Sequence, residues 1–149
     1  MKRFAVIGLG NFGFFVTKAL FEDGNEVIAV DSDRNRIQAI EPYCSEAIVM
    51  NATEKEQLKS LGLEVMNAVI VSTGTQISIS ILICLHLHEI GVKKILAKAM
   101  ASGKVVPGSG AVFVIESAMA FGPVSGRISL LTAAVFSAVV PAVFFIARK

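Results

Sequence analysis

Charge and cysteine are both scarce in this chain. Only 17% of its 149 residues are charged, against 54% hydrophobic, a balance that excludes a disordered polymer and supplies enough aliphatic surface for one compact core. Two cysteines, Cys44 and Cys84, stand in no metal-ligand or redox spacing. That excludes a disulfide framework and predicts two reduced, buried thiols in an intracellular protein. The two histidines, His86 and His88, are two positions apart, so a helix turns them to different faces, and they read as surface residues rather than a metal pair. Basic residues are few, dispersed and without interleaved aromatics, which speaks against nucleic acid as a partner. Acid is nearly missing from the end of the chain: residues 1–99 carry 10 basic and 11 acidic side chains, residues 100–149 carry 4 and 1. The start imitates a secretory signal, with Met1-Lys2-Arg3 before an apolar run, but three glycines and Asn11 interrupt that run, Lys18 follows it, and no small-residue cleavage pattern comes after.

What is present is a regular alternation. Residues 4–7, 26–30, 47–50, 68–71 and 95–97 are short apolar runs of β character, as expected of strands buried on both faces of a parallel sheet. Helical patterns lie between them. Phe12, Val16, Ala19 and Leu20 recur at helical spacing and Asp23-Gly24-Asn25 ends that helix. A second helix covers 34–40, with Asp33 as its N-cap and Pro42 beyond its end. Thr53 and Glu56 have capping-box spacing before a helix carrying Leu58 and Leu61, closed by Gly62. A fourth helix covers 77–89 and stops at Gly91. Strands and helices alternating at this pace predict an α/β fold with a doubly wound parallel sheet.

Beyond Ala99 the texture changes, with seven Gly or Pro residues between 100 and 126. A loop with a sixth strand at 112–115 fits, and Glu116 is expected to start a helix that Gly122-Pro123 interrupts. Residues 1–120 then form one domain and 121–149 an apolar C-terminal segment. Within it, 128–147 is a charge-free run with 16 of 20 residues from Ala, Val, Ile, Leu and Phe, long enough as a helix to cross the roughly 30 Å of a bilayer interior. Three readings stand side by side: a membrane helix, a helix buried between subunits, and a tail foreign to the rest of the chain. Pro141 and the placement of Arg148-Lys149 count against a simple span.

Gly8-Leu9-Gly10-Asn11-Phe12-Gly13 is a G-x-G-x-x-G motif between a strand and a helix, and Asp31 closes the second strand 18 residues after Gly13. That context predicts a dinucleotide-type, Rossmann-like site. Gly8 permits the tight turn, Gly10 lets backbone approach a phosphate, Gly13 lets the helix pack on the sheet, and helix N-terminal amides bind the anion. Asp31 can accept hydrogen bonds from both hydroxyls of an adenosine ribose and disfavours a 2′-phosphate. Arg34 and Arg36 either contact phosphates or stand as solvated helix charges.

These residues, with Glu26-Val27-Ile28-Ala29-Val30-Asp31, Asn51-Ala52-Thr53-Glu54, Leu61-Gly62, Val69-Ile70-Val71-Ser72-Thr73-Gly74 and the Lys98-Ala99 pair, resemble the N-terminal nucleotide-binding domain of RCK proteins, the TrkA-N domain of Trk and Ktr potassium-uptake regulators. The resemblance covers 2–99 well and 110–120 weakly. It implies a regulatory subunit that binds NAD(H) or ATP/ADP and acts on a membrane potassium channel or transporter subunit, as a homo-oligomer at the cytoplasmic face of the cell membrane. By position it implies a cofactor-binding set of Gly8, Gly10, Asn11, Phe12, Gly13, Asp31, Ser32, Asp33, Arg36, Asn51, Ala52, Thr53, Thr73, Gly74 and Lys98. Asp31 would hold the ribose, 51–53 would line the adenine pocket, Thr73-Gly74 would border the phosphates and Lys98 would add positive charge there. Asn11 stands where many Ktr-type members carry an arginine that contacts a terminal phosphate. The loop after Lys98 is about four residues shorter than the family's, and the last 30 residues do not look like its second ligand-binding domain.

Catalysis has little footing. Ser72 and Ser78 lack a G-x-S-x-G elbow, and Gly103-Lys104 lacks the upstream spacing of a P-loop. No catalytic residue is expected. A small NAD-dependent oxidoreductase or redox-sensing protein is the alternative, but after Lys98 the only acid is Glu116 and there is no histidine. Glu116 reads either as a contributor to a cation site or as a solvated carboxylate at a helix start.

Overall fold

A computed structural model describes residues 1–74, 76–99 and 111–116. The elements are β1 (Arg3–Ile7), α1 (Asn11–Glu22), β2 (Glu26–Asp31), α2 (Arg34–Ile40), β3 (Glu46–Val49), α3 (Lys55–Ser60), β4 (Ala68–Val71), α4 (Ile77–Ile90), β5 (Lys94–Ala99) and β6 (Ala111–Glu116). Short 3₁₀ turns at Glu41–Tyr43 and Leu63–Val65 complete them. The strand order is β3-β2-β1-β4-β5-β6.

The first five strands run parallel: Ile7 pairs with both Val30 and Val71, and Ile70 with Leu96. Alternate residues of each strand feed opposite cores. On one face Phe4, Val6, Val27, Ala29, Ile70 and Leu96 pack with Leu20 of α1 and Ile37 and Ile40 of α2. On the other, Ala5, Ile7, Val30, Val69, Val71 and Ile95 pack with Leu58 of α3 and Ile83 and Leu87 of α4. This is why the strand runs are apolar throughout instead of alternating with polar residues. The chain winds one way from β1 through β2 to β3 and the other way from β4 to β5. A switch point thus opens between the carboxyl ends of β1 and β4, where doubly wound sheets bind ligands.

Three local expectations change. The sixth strand lies antiparallel to β5, with Lys94 opposite Glu116 and Lys98 opposite Val112; residue pattern marks a strand without its direction. Glu116 is accordingly the last residue of β6, and the rest of the helix expected over 116–120 lies outside the described residues. The capping box also fails, because the N-cap of α3 is Glu54 and it makes no side-chain cap bond. Thr53 is engaged elsewhere: its amide and hydroxyl both donate to Asn51 Oδ1, at 3.1 and 2.8 Å. The Asp33 cap stands, its carboxylate accepting the Asn35 amide at 2.8 Å.

Along α4, Ile77, Ile81, Leu82 and Leu85 are exposed while Ile83, Cys84 and Leu87 are buried. Among the described residues no helix is long and apolar enough to cross a membrane. The expectations for 128–147, and for 121–149 as a whole, lie outside the described residues.

Candidate functional site

The glycine-rich turn joins β1 to α1 across the switch point. Gly8 has φ +93°, a conformation open to glycine, and a Cβ there would sit 2.3 Å from the Ser72 carbonyl oxygen. A Cβ at Gly13 would meet the Gly8 carbonyl oxygen at 1.9 Å, so this glycine lets α1 close onto its own turn. Gly10 differs. A Cβ on it would meet nothing within 4 Å, which leaves free volume directly over the turn. Gly10 is also the N-cap of α1, with no side-chain cap bond and no acidic residue in the first turn. The helix therefore offers uncapped amides and its positive dipole end to that open space.

Asp31 closes the other side. It is 8% exposed; its Oδ2 accepts the Leu9 amide at 2.6 Å and its Oδ1 the Asp33 amide at 2.8 Å. One carboxylate thus joins the glycine turn to the loop before α2. A carboxylate has about four acceptor positions, so each oxygen keeps capacity for a further donor such as a ribose hydroxyl. The Arg36 guanidinium lies 3.6 Å from Asp31 Oδ2 and 3.6 Å from Asp33 Oδ2. Of the two alternatives for this arginine, its exposure accords with a solvated helix charge, here paired loosely with both carboxylates.

Residues 50–53 reach the same end of the sheet, because the Met50 amide bonds the Asp31 carbonyl at 2.9 Å. On β5, Lys98 is half-buried and its Nζ lies 4.4 Å from the centre of the Phe12 ring. Burial pulls its ammonium pKa below the ordinary lysine value. At the end of β4, Ser72 is buried and Thr73 Oγ1 is hydrogen-bonded to Ser80 Oγ of α4. The residues present fit a nucleotide: open volume over Gly10, uncapped amides, and a carboxylate with spare acceptors.

The TrkA-N domain model matches residues 4–105. The chain belongs to the TrkA-N domain family. It is 45% identical over 98 residues to the Ktr system potassium uptake protein C of Bacillus subtilis (strain 168) and 41% identical over 98 residues to the Ktr system potassium uptake protein A of Vibrio alginolyticus, in each case over 66% of this chain and 44% of the relative. The chain spans less than half the length of these curated relatives. Among solved structures it is similar to the NAD(P)-binding domain of an exopolyphosphatase-related protein from Archaeoglobus fulgidus. The TM-score is 0.58 with 24% identity, over 70% of this chain and 76% of that one, a likeness of fold.

Within this TrkA-N domain most of the expected residues fall into three groups, while Thr73 is tied to Ser80. Gly8, Gly10, Gly13, Asp31, Asp33 and Arg36 are joined through the turn and the Asp31 carboxylate; Phe12 and Lys98 meet each other; Asn51 and Thr53 form their own local turn. Asn11, Ser32 and Gly74 are exposed and Ala52 is half-buried against the α3–α4 core. The amide of Leu9 and the hydroxyl of Ser80 were not foreseen. Leu9 bonds Asp31 across 22 positions by its backbone, which no residue type announces.

The thiols and histidines depart in part from expectation. Both cysteines are free, but only Cys84 is buried. Desolvation raises its pKa to about 11, and Cys44, half-buried, is raised by desolvation and then by Glu41. His86 and His88 are half-buried, and His86 Nδ1 is buried without a hydrogen-bond partner. Among the described residues no group of three His, Cys, Asp or Glu could hold a metal ion.

Proposed function

We propose that this chain is the nucleotide-sensing module of a regulatory subunit for potassium transport, binding NAD(H) or ATP/ADP between β1 and β4. The observation that carries the reading is the open volume over Gly10, faced by the uncapped N-terminus of α1 and flanked by the Asp31 carboxylate. Phosphates would lie on the α1 amides, the adenosine ribose on Asp31, and the adenine beside residues 51–53. The relatives that are named as potassium uptake proteins support the transport role.

Such a module needs no reaction. A ligand with different affinities for two arrangements of neighbouring domains shifts their populations, and that difference is the free energy delivered to a membrane potassium channel or transporter subunit. The module would work as a homo-oligomer at the cytoplasmic face of the membrane. Titration of the full chain with NADH, NAD, ATP and ADP tests the reading. Saturable binding of at least one is expected; no binding at millimolar concentration of any would overturn it.

A further inference from the structure

Ser80 is a polar residue 3% exposed, in the first turns of α4, and nothing in the nucleotide reading uses it. Its Oγ is hydrogen-bonded to Thr73 Oγ1 and donates to the Gln76 carbonyl oxygen at 3.3 Å. Thr73 stands beside the glycine turn: the Cβ that Gly8 lacks would lie 3.1 Å from the Thr73 nitrogen. Each hydroxyl has a single proton. With the Ser80 proton on Gln76, the Thr73 proton is on Ser80, and Thr73 Oγ1 keeps only lone pairs for any further partner.

A phosphate oxygen needs the opposite order. Thr73 must turn its O–H toward the anion, and Ser80 must turn its own from Gln76 onto Thr73 Oγ1. The reversal strands no buried group, because the Gln76 carbonyl also accepts the Ser80 amide at 3.1 Å and keeps that bond. In the reversed order Thr73 accepts from Ser80 while it donates, which polarises its O–H and strengthens its bond to an anion.

Resting on the nucleotide reading above, we propose that Ser80 is a positioning residue for phosphate recognition, setting through a reversible hydroxyl chain with Gln76 the direction in which Thr73 donates. The ligand class is therefore phosphate-bearing nucleotides, and Ser80 is indifferent to the nucleoside alone. Occupancy is also registered in the first turn of α4, whose Gln76 carbonyl loses a hydroxyl donor when phosphate binds.

The test measures NADH, ATP and adenosine binding to the parent, Thr73→Val, Ser80→Ala, Ser80→Cys and the Thr73→Val/Ser80→Ala pair. Calorimetry serves for the nucleotides, ligand-observed NMR for adenosine, and thermal unfolding checks each variant. Thr73→Val should weaken NADH or ATP by roughly tenfold or more and Ser80→Ala by about threefold, since one removes a bond to a charged group and the other only its support. Ser80→Cys, similar in volume but a weak donor, should follow Ser80→Ala. Adenosine affinity should not move, and the double variant should match Thr73→Val. Equal losses for adenosine and nucleotide, no loss in Ser80→Ala, or a further threefold loss in the Thr73→Val background would overturn the role of Ser80 alone. A parent that binds none of the three ligands removes the nucleotide reading, and this role with it.

Discussion

Asp31 and Leu9 are joined by a 2.6 Å hydrogen bond from the Leu9 amide to the buried carboxylate, so the group proposed to meet a ribose also holds the turn proposed to meet the phosphates. Asp31→Ala should therefore show two effects. Removing a charged acceptor from the ribose should weaken adenine nucleotides by about 1.5–3 kcal/mol, and leaving the Leu9 amide unpaired should cost about 1–3 kcal/mol of stability. Calorimetric titration reads the first and chemical denaturation the second. Asp31→Asn, which keeps an acceptor for one amide, should recover part of the stability while binding remains weakened. Normal nucleotide binding by both variants would show that the ribose lies elsewhere.

The glycine turn allows its fold and ligand roles to be separated. Gly10→Val places side-chain atoms in open volume, so unfolding should change little while nucleotide binding is lost. Gly13→Ala drives a methyl to 1.9 Å from the Gly8 carbonyl, and the overpacking should cost about 1–3 kcal/mol of stability or more. If Gly10→Val unfolds the protein as readily as Gly13→Ala, the volume over Gly10 is not free in solution.

These positions also show what a sequence discloses. The β–α alternation was legible because strands buried on both faces must be continuously apolar, and the bounds 34–40 and 68–71 coincide with α2 and β4. Gly8 and Gly13 were legible because each role excludes a Cβ for a different reason. Strand direction was not, since pairing partners and not composition decide it, and β6 runs against β5. Thr53 misled because its hydroxyl donates to Asn51 Oδ1 and the chain places Glu54, not Thr53, at the N-cap of α3. The apolar run in α4 did not reveal that Ile81 and Leu85 stay exposed at 63% and 49%, because a helix apolar all round does not say which side meets the sheet. Thr73 and Ser80 are seven positions apart, and only the turn from β4 into α4 makes them partners.

Thiol chemistry should follow burial. With its pKa raised to about 11, Cys84 carries almost no thiolate at neutral pH, and its side chain is covered. Labelling by iodoacetamide at pH 8 should modify Cys44 first and reach Cys84 only on unfolding, read by peptide mass analysis with increasing urea. Rapid modification of Cys84 in the native protein would contradict its packing between α4 and the sheet.

If Lys98 serves the proposed phosphate site, nucleotide affinity should depend on alkaline pH. Its folded-state pKa is lowered by desolvation, so between that value and the ordinary lysine value the unfolded chain binds the extra proton. Its contribution to stability therefore rises with pH through this window. Nucleotide affinity should move the other way. A bound phosphate favours the ammonium, so binding takes up a proton once Lys98 has begun to deprotonate, and affinity falls as pH rises through the lowered pKa. The Phe12 ring, 4.4 Å from the ammonium, holds it near the first turn of α1 without cancelling its charge. Lys98→Gln should reduce nucleotide affinity roughly tenfold at neutral pH and flatten the alkaline fall. Lys98→Arg, charged throughout, should flatten the fall while keeping more of the affinity. Titrations from pH 7 to 10.5 in the three proteins decide the matter: an alkaline fall that persists unchanged in Lys98→Gln would assign it to another group and remove Lys98 from the phosphate site.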